Sequence, residues 1–104
     1  MNIDLKLKDN TCKVTISDRL VLCDQANFRD MMSKLAGLNF ISLTVDLTAA
    51  SFVDSAGIGM LLMLQNASQA KNITPSYLLS ENGQISDAFR LANLDSVFDI
   101  KMSA

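Results

Sequence analysis

Polar and apolar residues alternate along residues 1–7 and again along 12–16, where Cys12, Val14 and Ile16 share one face. A period of two marks a half-buried strand, and Asp9 and Asn10 between the runs supply turn chemistry, so the pair predicts a hairpin. From residue 24 to 36 the period lengthens: Phe28, Met31, Met32 and Leu35 follow helical spacing, with Asp24 as N-cap and Gly37 as the stop. Residues 41–47, β-branched and alternating, read as the clearest strand, closed by a loop of Thr48, Ala49 and Ala50. A strongly apolar helix is expected from Ser55 to about Ala70, then a strand over 72–79 with Pro75 near its start or on an edge. Asn82 and Gly83 make a turn. A third helix carries Ile85, Ala88, Phe89 and Ala92 on one face and ends near Asn93, and a short strand over 97–100 follows. The order ββαβαβαβ implies a single α/β domain spanning 1–104, a mixed sheet with helices packed mainly on one face.

The junction between the clearest strand and the apolar helix carries the most distinctive chemistry. Asp54, Ser55, Ala56, Gly57 and Gly59 lie together there, followed by Met60 and Met63. If Ser55 opens the helix, its hydroxyl sits beside unpaired backbone N–H groups and the positive end of the helix dipole, a place that tolerates a phosphate. Ser and Asp are also ordinary helix N-caps, and capping alone accounts for either. A capping box would need Glu or Gln three residues after the cap, where Gly57 and Ile58 stand. Two glycines in the first turn or so each cost about 1 kcal/mol relative to Ala, which suggests that something approaches this backbone closely. On that reading an alanine at Gly57 or Gly59 leaves the fold intact and weakens partner binding. The helix has more apolar residues than one core-facing stripe requires, and Met60 and Met63 are the candidates for exposure on a partner surface.

Composition narrows the functional classes. The chain has no histidine, which removes the commonest general base and metal ligand. It has no phosphate-cradling loop and no clustered carboxylates, so the expectation is a protein that is not an enzyme, with no catalytic residue, cofactor or metal. A net charge of −2, with nine Lys and Arg scattered along the chain, leaves no footprint for nucleic acid or an anionic membrane. Cys12 and Cys23 do not make a Cys-x-x-Cys pair. The N-terminus alternates like a strand rather than a signal peptide, and the longest apolar run, residues 60–64, is too short for a bilayer, so a cytoplasmic location is expected.

Strand, Asp-Ser-Ala-Gly, apolar helix, strand, Gly-x-Ile helix and short strand, in this order, resemble the STAS domain, and among its members the free-standing anti-sigma factor antagonists of bacterial partner-switching circuits. The specific part is Val45-Asp46-Leu47, then Phe52-Val53-Asp54-Ser55-Ala56-Gly57-Ile58-Gly59-Met60-Leu61-Leu62. Asn82-Gly83-Gln84-Ile85 running into Leu91-Ala92-Asn93-Leu94-Asp95-Ser96-Val97-Phe98 is similar to the family's last helix and strand. The resemblance implies that Ser55, the residue after Asp in the motif, is the phosphorylated serine. It implies protein partners: a serine kinase that is often the anti-sigma factor itself, a metal-dependent serine phosphatase, and an output that is a sigma factor or another regulatory enzyme. The unphosphorylated form binds its partner and the phosphorylated form lets go. The same fold also serves as a constitutive interaction subunit of a transporter or larger sensory complex, with Ser55 as a mere cap. The chain departs from the family's Gly-x-Leu/Phe-Asp pattern at Asp18-Arg19-Leu20-Val21, with Asp18 in the glycine's place and Val21 in the aspartate's.

Overall fold

The computed structural model describes residues 1–81 and 83–103. Its first two strands, β1 (Asn2–Lys8) and β2 (Thr11–Leu20), form the expected hairpin, antiparallel over seven residue pairs from Asn2 opposite Ser17 to Lys8 opposite Thr11. Asp9 and Asn10 turn the chain with φ of 52° and 65°, the left-handed region that Asn and Asp tolerate best among side chains with a Cβ. Helix α1 (Gln25–Ala36) leads to β3 (Ser42–Asp46) and β4 (Ala50–Val53). Helix α2 (Ser55–Gln69), β5 (Ser76–Ser80), α3 (Gln84–Leu91) and β6 (Asp99–Ser103) complete the chain.

The main path of the sheet runs β1-β2-β3-β5-β6, antiparallel at the first pair and parallel thereafter. Beyond its pairing with β1, strand β2 has two parallel partners. Its first half, Thr11 to Thr15, lies against β3, and its end, Asp18 to Leu20, lies parallel to β4. One face of the sheet is apolar and closed: Cys12, Val14, Ile16, Leu43, Val45, Tyr77 and Leu79 are all buried. The helices contribute Phe28, Met31, Leu35, Met60, Leu61, Leu64 and Phe89 to the same core. Alternate residues on the strands, such as Lys13, Thr15 and Thr44, face outward, so the helices cover one face, as the alternation requires.

The elements differ from the sequence reading at several places; β2, expected over 12–16, runs on to Leu20, where it meets β4. Strand β4 stands where the sequence reading has the loop of Thr48, Ala49 and Ala50 and assigns no element to 51–53: it is four residues long, and only Val53 of the four is buried. The strand expected over 72–79 begins at Ser76. Asn72 adopts φ 62° and the Ile73 amide returns to the Ser68 carbonyl at 3.0 Å, so residues 72–75 close off α2 instead. The last strand starts at Asp99 rather than 97, because the Val97 and Phe98 amides both donate to the Leu94 carbonyl and end a short 3₁₀ turn, Leu94–Ser96. Asp24 precedes α1 as expected, yet its carboxylate does not cap that helix; it accepts the Val21 amide at 2.9 Å and closes the turn Leu22–Asp24. Of the expected turn at Asn82 and Gly83, Asn82 lies outside the described residues.

Candidate functional site

Strand β4 delivers the chain to the start of α2, and the geometry there is fixed by one carboxylate. Asp54 is the N-cap, with extended backbone, and its Oδ1 accepts the Gly57 amide at 2.8 Å. Its other oxygen accepts the Leu22 amide at 3.1 Å, tying the β2–α1 connection to the same helix start. The Asp54 amide in turn donates to the Leu20 carbonyl at 3.3 Å. Ser55 is therefore the first helical residue rather than the cap, and it is exposed. A helix leaves its first amides without intrahelical partners; here Asp54 takes that of Gly57.

The helical period sorts the expected site residues onto two faces. Ser55, Gly59 and Met63 recur every four residues along the open side of α2, Ser55 and Met63 exposed and Gly59 half-buried. Gly57 and Met60 point inward. Met60 is 4% exposed and belongs to the core, so the expectation that it joins Met63 on the surface is corrected; Met63 is 51% exposed. Ala56 is half-buried and packs against the core.

The two glycines also separate. A Cβ on Gly57 would stand 2.2 Å from the Leu20 carbonyl oxygen and 2.6 Å from Val53 Cγ2. The close approach inferred from the sequence is thus internal: the first turn of α2 rests directly on the end of β2, and the expectation that alanine at Gly57 leaves the fold intact is overturned. A Cβ on Gly59 would meet nothing within 4 Å.

Further residues belong to this surface without having been singled out as site residues. The side-chain amide of Gln84, at the start of α3, holds both backbone groups of Val53: it donates to the Val53 carbonyl at 3.1 Å and accepts the Val53 amide at 2.9 Å. It occupies the place a neighbouring strand would take along β4. Leu22, 61% exposed, projects from the turn held by Asp54. The Arg19 guanidinium lies 5.3 Å from the centre of the Phe52 ring, and those two residues are paired across β2 and β4. Phe52 and Gln84 both stand in the quoted motifs and could have been found there; Leu22 stands in neither and carries no periodic signal.

The sequence matches the STAS domain family over residues 2–104. This chain belongs to the STAS domain family. None of the curated proteins matches it in sequence. In fold, the STAS chain is similar to a putative anti-sigma factor antagonist of Thermotoga maritima, at TM-score 0.81 and 16% identity over 98% of this chain and 86% of that one. It is similar to an anti-sigma factor antagonist of Mycobacterium paratuberculosis at TM-score 0.74 and 17% identity, covering 95% and 83% of the two chains. The anti-sigma factor antagonist SpoIIAA in its unphosphorylated form aligns at TM-score 0.67 and 15% identity, covering 99% and 90%.

The departure of this STAS chain at residues 18–21 has a structural counterpart. Asp18 adopts φ 69° where the register of β2 against β4 slips, a conformation that suits glycine and that Asp tolerates. Val21 provides no carboxylate; the connection is held by Asp24 and Asp54 instead. Among the described residues no group of three or more His, Cys, Asp and Glu is placed to hold a metal ion, and no helix is long and apolar enough to cross a membrane.

Proposed function

We propose that this STAS protein is a phosphorylation-controlled antagonist of an anti-sigma factor or similar regulatory partner, with Ser55 as the modified residue. The unmodified protein binds the partner through Asp54, Ser55, Gly59 and Met63, and phosphorylation of Ser55 releases it. A serine kinase adds the phosphate, in the simplest circuit the bound partner itself, and a metal-dependent serine phosphatase removes it. The observation that carries this reading is the position of Ser55: exposed, first in α2, and one residue beyond the cap that fixes the helix start. The similarity in fold to anti-sigma factor antagonists, one of them described in its unphosphorylated form, supports the same role.

The chemistry suits a switch that works on association. Phosphorylation brings about −1.5 to −2 charges and three acceptor oxygens. On the free protein the dianion meets solvent, the helix dipole and the neighbouring amides. In a complex, a partner packed over α2 would bury it without a compensating cation, which costs several kcal/mol and therefore a hundredfold or more in affinity. Ser55 needs no activation of its own, because the kinase supplies the base.

The test is to isolate the protein from cells of its source and map phosphate on it by fragment mass spectrometry. The expected result is one phosphate, on Ser55, absent from Ser55→Ala. Stoichiometric phosphate persisting in Ser55→Ala would overturn the assignment and turn attention to Ser51, which is exposed and donates to the Asp18 carbonyl.

A further inference from the structure

We propose that β1 is the seam of a symmetric dimer with a second copy of this chain, formed by antiparallel pairing of the two β1 strands into one continuous sheet. Strand β1 is an edge of the sheet's main path: its full length pairs with β2 on one side, and among the described residues no strand pairs with its other side. Sheet edges are normally blunted by shortness, a proline, a bulge or charged side chains, lysine above all, and of these devices β1 has only the charges of Asp4, Lys6 and Lys8. This one is seven residues long, has no proline, and keeps an unbroken register with β2.

The sequence of the strand is complementary to its own reverse. With a twofold axis through Leu5, Asp4 lies opposite Lys6 of the second copy and Lys6 opposite its Asp4. On the other face Leu5 meets Leu5, and Ile3 meets Leu7. Two cross-strand ion pairs and a closed apolar row result, in the one arrangement that opposes every charge on Asp4 and Lys6 with its opposite. Among the described residues of the single chain Asp4 and Lys6 form an ion pair only with each other, at 3.9 Å, both well exposed, and Leu7 is left 47% exposed.

The helix layer beside this edge is open in the same sense. A groove of about 460 Å³ lies between β1 and α1, with Ile3 and Leu5 on one side and Asn27, Asp30 and Lys34 on the other. Those three α1 residues are spaced three and four apart, so they form one stripe. A twofold axis normal to the sheet sets the two α1 helices antiparallel across the seam, with Asp30 of each copy directed towards Lys34 of the other. Ser55 lies on α2, outside β1 and α1, and stays uncovered.

Sedimentation equilibrium over a concentration series tests this, with Asp4→Lys, Lys6→Asp and the double exchange Asp4→Lys/Lys6→Asp as variants at exposed positions. The unmodified protein is expected to show a monomer–dimer equilibrium in the micromolar range. Each single reversal places like charges opposite one another twice, and is expected to weaken the dimer at least about tenfold. The double exchange restores both pairs and is expected to return the dissociation constant to within about threefold of the original. Monomer at every concentration up to about 1 mM would overturn the proposal. So would a dimer indifferent to the single reversals, or one that the double exchange fails to rescue.

Discussion

At the scale of single residues, the start of α2 is a compromise between packing and access. Gly57 is there because a helix turn rests on a strand's carbonyl, and Gly59 is not. Gly57→Ala is expected to lower stability by about 1–3 kcal/mol, since the Leu20 carbonyl and Val53 must both give way. Gly59→Ala is expected to raise it by about 0.5–1 kcal/mol, as an unobstructed alanine in a helix interior should. Denaturant unfolding of both variants checks this. If Gly59 faces the partner, its alanine variant is more stable and binds less well, a combination that a purely structural glycine would not give. The neighbourhood of two glycines and a serine was legible in the sequence. Which glycine served the fold was not, because the contact that decides it comes from Leu20, more than thirty positions away.

Asp46 offers a second test at this scale. Its carboxylate is drawn in opposite directions: partial burial pushes its pKa up, but hydrogen bonds from the Thr48 hydroxyl and amide, together with Lys13 at 3.4 Å, outweigh this and hold it below its ordinary 3.8. A carboxylate depressed in the folded state stabilises it above the unfolded pKa, and that contribution disappears as pH falls through the folded value. Asp46→Asn is expected to be less stable than the unmodified protein at neutral pH, with the difference shrinking as the medium is acidified below the ordinary carboxylate range. Thermal melts of both proteins against pH check it; a difference that grows on acidification would contradict this account.

At the scale of elements, the long periodic segments were the readable ones. The hairpin, α1, β3 and the onset of α2 all follow from period and caps. Strand β4 was unreadable for a physical reason: it is short and mostly exposed, and it is made a strand by partners distant in sequence, β2 on one side and the Gln84 amide on the other. Gln84→Leu keeps the bulk and deletes both hydrogen bonds, leaving the Val53 backbone groups without these partners. A loss of about 1–3 kcal/mol is expected. Faster hydrogen exchange of the Val53 amide, with the β3 amides unchanged, would locate the loss at β4; uniform acceleration would contradict that local role.

The core holds one polar chain that period alone could not announce. The Tyr77 hydroxyl donates to Gln65 Oε1 at 3.0 Å, and Gln65 Nε2 donates to the Val97 carbonyl at 3.3 Å. Burial raises the Tyr77 pKa well above its ordinary 10.0, so the hydroxyl stays a donor throughout the physiological range. This chain links β5, α2 and the turn before β6, and Phe98 stacks on Tyr77 at 4.4 Å beside it. Gln65 lies on the same helix as Ser55 but faces the core, which sets the rigid side of α2 against the side left open.

At the scale of the molecule, the switch proposed above would act on association and leave the fold alone. Phosphate at Ser55 gains a few tenths to about 1 kcal/mol from the helix dipole. It loses a comparable amount to Asp54, which is held in place by the Gly57 and Leu22 amides. These terms nearly cancel, so the melting temperature is expected to move by no more than a few degrees. The measurement that tests the central claim most directly compares the affinity of the proposed regulatory partner, captured from the source cells on the unmodified protein, for two forms of this protein, unmodified and carrying phosphoserine at 55, by calorimetric titration. The account predicts at least a tenfold weaker dissociation constant for the phosphorylated form, with both forms equally folded. Equal affinities for a fully phosphorylated, folded protein would contradict it.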